Sequence, residues 1–145
     1  MADEKLNKVV LDSSVVIKWF SNEEGTDKAL VIREKYINGD IEIAIPDLVL
    51  YEVANALRYN TSINENDIKE AVDSLNKLEI DIIVPTKEIT NLAISYALKF
   101  GLTVYDAFFL SLADVLRFTC ITADEKLYNK VKELGFVVLL NEINL

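Results

Sequence analysis

The sequence predicts an α/β protein with a mostly parallel central sheet and helices on both faces. Two observations carry this prediction. Short apolar runs alternate with longer amphipathic segments, and Gly39, Gly101 and Gly135 each follow such a segment, where a helix commonly ends. The chain of 145 residues shows no repeat, linker or low-complexity segment. We therefore expect a single domain over residues 1–145, long enough to bury roughly 70% of its unfolded surface.

Five apolar runs have the length of buried strands, and seven segments around them have the length of helices. The strand candidates are 9–11, 41–45, 80–84, 118–122 and 136–140. The helix candidates are 14–20, 25–38, 47–59, 65–79, 87–100, 105–116 and 124–134. In the fourth helix candidate, Ile68, Val72 and Leu75 repeat at helical spacing. Sheets of this kind place their functional sites beyond the carboxyl ends of the strands.

The absence of histidine excludes whole classes of chemistry. It removes Ser-His-Asp and Cys-His catalysis, every His-ligated zinc site, and a histidine pair acting on an RNA 2′-hydroxyl. Cys120 is the single cysteine, so no internal disulfide can form, and its apolar surroundings favour a small core residue. Any metal site must therefore use oxygen ligands, which favours Mg²⁺, Mn²⁺ or Ca²⁺.

The charge of the chain bears on its partners. A net charge of −9 argues against sequence-independent binding to nucleic acid and suits cations or a basic protein. No apolar run approaches the ~20 residues of a membrane span. The amino-terminal residues, MADEKLNK, are too polar for a signal peptide. These features predict a cytoplasmic protein that does not enter a membrane.

Four acidic residues lie beside apolar runs rather than on polar helix faces. Asp12 directly follows the first strand candidate, and Asp124 comes just after the fourth. Glu52 and Asp106 lie in helix candidates that are apolar on most sides and must therefore cover the sheet. All four side chains could converge at one end of the sheet.

Each acid also has a purely structural explanation. A negative charge is favoured in the first turn of a helix, where Asp106 and Asp124 are expected. Thr122 and Glu125 have the spacing of a capping box around Asp124. Glu52 could pair with Arg58 or face water. For one acid taken alone, the structural explanation is the more common one.

Convergence of the four acids would carry a cost that a cation removes. Two carboxylates about 4 Å apart repel by about 4 kcal/mol at an effective dielectric near 20, against a total stability of about 5–15 kcal/mol. The acids are tolerable together only if some are protonated or a cation lies among them. Mg²⁺ would bind one or two carboxylates directly and keep several waters. A water of lowered pKa on such an ion can attack phosphorus.

At these residues the chain resembles a PIN domain, most closely the VapC-type toxins of toxin–antitoxin pairs. The matching segments are, in order, VVLDSSVVIKWF, PDLVLYEVANALRY, LTVYDAFFLSLA and CITADEKL. They span position 9 to about position 130, nearly the whole chain. The resemblance implies a three-layer α/β/α sandwich and a ribonuclease dependent on Mg²⁺ or Mn²⁺.

The resemblance also assigns site residues and partners. It implies that the metal-binding acidic quartet is Asp12, Glu52, Asp106 and Asp124. It adds Ser14, Thr122 and Asn55 as polar residues of the catalytic site. The expected partners are an RNA substrate, a small cognate antitoxin and a second copy of the chain. Aromatic residues beyond the needs of one small core agree with such a homodimer, namely Trp19, Phe20, Tyr51, Tyr59 and Phe109.

Three alternatives remain open. A PIN-type nuclease acting on structured DNA, or in RNA processing without an antitoxin, would use the same acids, because metal-activated water needs no 2′-hydroxyl. A phosphorylation-dependent receiver domain would want further acids directly after the first strand, where Ser13 and Ser14 lie, and a lysine after the last strand. A non-catalytic binding module would not need all four acids.

Overall fold

A five-stranded parallel sheet forms the centre of the computed structural model, which describes residues 6–145. Its strands are β1 (Lys8–Leu11), β2 (Glu42–Pro46), β3 (Asp81–Ile83), β4 (Thr119–Thr122) and β5 (Val137–Leu139). The order across the sheet is β3-β2-β1-β4-β5, and every pair is parallel. All five predicted strands are confirmed. The prediction of no signal peptide depends on residues that lie mostly outside this description.

The described residues form seven α-helices, each at a predicted position. They are α1 (Ser13–Val16), α2 (Thr26–Ile37), α3 (Leu48–Arg58), α4 (Glu65–Lys77), α5 (Lys87–Phe100), α6 (Val104–Leu116) and α7 (Glu125–Val131). A 3-10 turn at Ile17–Trp19 extends α1. From β1 the chain winds outward to β3 and then returns across the sheet to β4 and β5. Since such crossovers are right-handed, the two halves place their helices on opposite faces. This confirms the three-layer α/β/α fold.

The centre of the sheet explains why the first strand reads as an uninterrupted apolar run. β1 lies between β2 and β4, and Val9, Val10 and Leu11 are all buried. A strand covered on both faces needs no polar alternation. Cys120 of β4 is a buried free cysteine, as predicted. Asp12 therefore emerges directly from the most buried part of the molecule.

The aromatic residues divide between core and surface. Trp19 and Phe109 are buried, and the Trp19 indole donates a hydrogen bond to the carbonyl of Ala29 at 2.8 Å. Tyr51 and Tyr59, by contrast, are 66% and 69% exposed. The core therefore accounts for some of these aromatic residues and leaves Tyr51 of α3 and Tyr59, which caps the end of that helix, at the surface.

Within residues 6–145, no single helix has the length and apolarity to cross a membrane. Only α5 and α6 taken together have the required length and apolarity, and the two helices are bent by 120° at their junction. Gly101 ends α5 in the left-handed region, at φ 66°, which allows this abrupt turn. The turn brings the start of α6, with Asp106, to the carboxyl end of the sheet.

Candidate active site

The end of β1 delivers Asp12 into a polar pocket. Its backbone N–H extends the sheet by donating to the carbonyl of Ile121 at 3.0 Å. Its side chain makes no cap bond to α1. Instead, Asp12 Oδ2 accepts hydrogen bonds from Thr122 Oγ1 at 2.7 Å and Ser14 Oγ at 2.9 Å. Two hydroxyls thus hold one oxygen of this carboxylate, and Asp12 is only 6% exposed.

Burial dominates the electrostatics of Asp12. Desolvation raises the pKa of this carboxyl to about 6, from an ordinary 3.8. The hydrogen bonds from Thr122 and Ser14 oppose that rise, and the negative charges of Asp106 and Glu52 add to it. Loss of water around Asp12 is therefore a larger cause of the raised pKa than repulsion by the other acids.

Thr122 and Ser14 tie the ends of β1 and β4 together. Thr122 Oγ1 donates to Asp12 and accepts from the backbone N–H of Asp124 at 3.1 Å. Ser14 Oγ accepts from the backbone N–H of Ala123 at 2.9 Å. Thr122 is fully buried, so it can position Asp12 but cannot itself contact a substrate.

The capping box predicted around Asp124 is wrong. Helix α7 begins at Glu125, and Asp124 is its N-cap, with Oδ1 accepting from the backbone N–H of Leu127 at 3.1 Å. The Thr122 hydroxyl lies before the start of the helix, where it accepts from the backbone N–H of Asp124 rather than from that of Glu125. Asp124 therefore combines the structural role of a cap with a position on the cleft wall.

Glu52 is held by a residue that the sequence analysis did not single out. Ser13 Oγ donates to Glu52 Oε1 at 2.7 Å, joining α1 to α3. Burial raises the pKa of the half-buried Glu52 carboxyl; the Ser13 bond lowers it, and the charge of Asp106 raises it. Arg58, the alternative partner for Glu52, instead stacks over the ring of Tyr59.

Asp106 lies in the first turn of α6, as predicted. The helix is capped by Thr103, whose hydroxyl accepts from the backbone N–H of Asp106 at 3.1 Å. Burial raises the pKa of the Asp106 carboxyl, and the charge of Asp124 raises it further. The Thr103 bond and the positive charge of Lys130 act in the opposite direction. Asp106 is therefore electrostatically coupled to the acid at the end of β4.

One cleft of about 320 Å³ brings the four acids together at the carboxyl end of the sheet. Its lining consists of Asp12, Ser13, Ser14, Ile17, Glu52, Asn55, Ala56, Asp106 and Asp124. Six of the seven residues named from the sequence line it, and the seventh, Thr122, bonds Asp12 from below. The convergence expected from the sequence is present in the geometry.

A family model decides the relationship of the chain to known proteins. The model for the PIN domain matches residues 9–133. The chain belongs to the PIN domain family. This membership removes the receiver-domain alternative, whose strand-end acids belong to a different fold.

Relatives of this PIN domain match over nearly its whole length. Ribonuclease VapC3 of Pyrobaculum aerophilum is 29% identical over 131 residues, which are 88% of this chain and 97% of that protein. A toxin–antitoxin complex from Klebsiella pneumoniae contains a similar fold, with a TM-score of 0.71, 19% identity, and coverage of 93% and 99%. VapBC2 from Rickettsia felis, bound to a promoter DNA fragment, gives a TM-score of 0.64 at 18% identity, with coverage of 91% and 96%.

The donor atoms of the PIN-domain cleft suit a hard divalent ion. Within residues 6–145, three of the carboxylates, those of Asp12, Glu52 and Asp124, each have one oxygen that accepts hydrogen bonds from the protein. The second oxygen of each accepts none. No three acids of these residues are close enough to enclose an ion by themselves. Mg²⁺ fits such a set, because it binds one or two carboxylates directly and fills its other positions with water.

Proposed function

We propose that this PIN domain is a metal-dependent endoribonuclease, the toxin of a VapBC-type pair, which cleaves single-stranded RNA with a metal-activated water. The supporting observation is the cleft at the carboxyl end of the sheet, lined by four acids in a chain without histidine. The names of the relatives favour RNA as the substrate and a toxin–antitoxin context.

The proposed roles follow from the contacts of each residue. One or two of the carboxylates of Asp12, Glu52, Asp106 and Asp124 would bind Mg²⁺ or Mn²⁺ directly, and the others would bind it through its coordinated waters. When bound, the ion lowers the pKa of a coordinated water enough for attack on phosphorus near neutral pH. Thr122 and Ser14 fix Asp12, and Ser13 fixes Glu52, so that the carboxylates keep their orientation as the substrate enters. Asn55 lies on the cleft wall, where its amide can contact the RNA backbone.

The products of the reaction test this proposal. A labelled single-stranded RNA is incubated with the protein in Mg²⁺, in Mn²⁺ and in excess chelator, beside a structured DNA such as a hairpin. We expect cleavage of the RNA only with metal, leaving a 5′-phosphate and a 3′-hydroxyl. Products with 2′,3′-cyclic phosphate ends, or full activity in chelator, would contradict it, and preference for the DNA would favour the DNA-nuclease alternative.

The acidic cleft also suggests how such a toxin is restrained in the cytoplasm. In a chain of net charge −9, a peptide that places an arginine or lysine among the carboxylates is the complementary inhibitor. We expect a basic, partly disordered antitoxin segment to fill the cleft. Equal binding of that antitoxin to a variant with all four acids neutralised would refute this mode of inhibition.

We further expect a two-fold homodimer that buries more than about 1,000 Å². Large apolar side chains at the surface support it, among them Leu98 of α5, which is 82% exposed, and Val104 and Tyr105 at the start of α6. Light scattering at micromolar concentration checks the assembly. A monomeric mass would contradict it.

A further inference from the structure

The exposed face of α3 has an unusual composition for this acidic chain. Helical spacing places Tyr51, Asn55, Arg58 and Tyr59 on one face, at i, i+4, i+7 and i+8, and all four are exposed. The opposite face, with Val49, Val53 and Leu57, is buried. Although the chain has 24 acidic and 15 basic residues, these four residues include one cation and no acid. We call these four residues the α3 strip.

The α3 strip adjoins the acidic cleft. Asn55 belongs to both, since it is exposed on α3 and lines the cleft together with Glu52 and Ala56. Tyr51 precedes Glu52 in the chain, and Tyr59 lies eight residues further along the helix. At 1.5 Å per residue this separation is about 12 Å of helix axis, so the two rings can contact different nucleotides of one strand.

The side chains of the α3 strip have the chemistry of a single-strand binding surface. Tyr51 and Tyr59 present rings that are mostly exposed, at 66% and 69%. The Arg58 guanidinium lies 5.0 Å from the centroid of the Tyr59 ring, and among the described residues no carboxylate forms an ion pair with it. Aromatic faces that stack on unpaired bases, with arginine beside them for the backbone, are typical of such surfaces.

We propose that the α3 strip binds unpaired nucleotides of the RNA next to the scissile bond, with Tyr51 and Tyr59 stacking on bases and Arg58 contacting a phosphate. The inference rests on the proposed ribonuclease function and adds a substrate-binding surface to it. It also explains how a chain of net charge −9 binds a polyanion. The strip supplies stacking and one local cation, while a metal ion in the cleft offsets the carboxylates. Duplex RNA cannot make this contact, because its bases are paired and stacked on each other and are not free to stack on the tyrosine rings.

Steady-state cleavage of a single-stranded RNA, by wild type and by single variants, tests the proposal. We expect Tyr51→Ala and Tyr59→Ala each to raise KM about tenfold, as the loss of one stacked base would, while kcat changes less than about twofold. Tyr51→Phe and Tyr51→Trp keep a stacking ring and should retain the wild-type KM. Tyr51→Leu keeps apolar area without a ring and should behave like Tyr51→Ala. Arg58→Gln should reduce the slope of log KM against log salt concentration by about 0.7, the value for one phosphate contact on a single strand.

Matched controls on two other helices show whether a change in KM is particular to the α3 strip. Ile37→Ala removes an exposed apolar side chain on α2, and Lys69→Gln removes an exposed cation on α4; both should keep the wild-type KM. If the wild type cuts RNA and Tyr51→Ala and Tyr59→Ala keep its KM, the proposed role of the α3 strip is wrong, while the proposed ribonuclease function stands. A wild type that cuts no RNA would overturn the proposed function as well. If the tyrosine variants instead changed the mass measured by light scattering, the strip would be an interface between copies of the chain, and the proposal would be wrong.

Discussion

Replacing Asp12 by Asn tests whether the buried carboxylate at the end of β1 destabilises the metal-free protein. The pKa of Asp12 is raised to about 6 from 3.8, chiefly by burial. The folded protein therefore holds this proton more tightly than the unfolded chain. At pH 4 and below the proton stabilises the fold, and this contribution is lost as the pH rises towards 6. At 1.36 kcal/mol per pH unit, the loss amounts to about 3 kcal/mol.

Asp12→Asn removes this ionisation and little else. The amide oxygen has the shape of Asp12 Oδ2 and can accept the same hydrogen bonds from Thr122 and Ser14. In chelator at pH 7.5, the variant should match the wild type in stability or exceed it by up to about 3 kcal/mol, because no charge is buried. At pH 4 the two proteins should differ little. In millimolar Mg²⁺ the wild type should gain up to about 2.7 kcal/mol at a hundredfold excess over Kd, and the variant much less.

Urea denaturation at pH 4 and pH 7.5, with chelator and with Mg²⁺, measures these differences. Asp73→Asn, which neutralises an exposed acid on α4, is the matched control and should follow the wild type under every condition. The reasoning fails if Asp12→Asn loses about 0.5–2 kcal/mol at both pH values, with and without metal, and still cleaves RNA. Asp12 would then be an ordinary capping residue at the end of a strand.

Three further substitutions separate the roles within the cleft. Thr122→Val keeps the shape of the side chain but loses the hydroxyl that bonds Asp12. It should lower the free energy of unfolding, measured in urea, by about 1–3 kcal/mol. It should also weaken Mg²⁺ binding, because the pKa of Asp12 rises further. Ser13→Ala should lower kcat for RNA more than it changes KM, since Glu52 loses its orienting bond, and an unchanged kcat would refute that role. Asp124→Asn retains a good N-cap for α7 and should keep its melting temperature in chelator while losing RNA cleavage, whereas a variant that cleaves normally would limit Asp124 to capping.

The strands and helices were predictable because their signals are local. A strand buried on both faces, such as β1, reads as a continuous apolar run. The glycine at the end of α5 marks a left-handed position that few other residues adopt readily. That Asp12 and Asp124 would meet at one cleft was predictable because each follows a strand, and the carboxyl ends of parallel strands share one edge of the sheet.

The parts of the site that escaped sequence reasoning depend on contacts between distant segments. Ser13 and Ser14 are adjacent and identical, and only the orientation of the short helix α1 decides that one bonds Glu52 and the other Asp12. The capping box failed because the helix begins at Glu125 with Asp124 as its N-cap, and the Thr122 hydroxyl before it bonds Asp12, 110 residues away. The dominance of burial in the pKa of Asp12 likewise requires the packed core around it.

Binding of Mn²⁺, followed by the loss of its free electron paramagnetic resonance signal, tests most directly whether the acids of this cleft form one metal site. The account predicts saturable binding by the wild type and by Asp73→Asn, with Kd raised at least tenfold in Asp12→Asn and in Asp106→Asn. Equal binding by all four proteins, or no saturable binding by the wild type up to millimolar Mn²⁺, would contradict it.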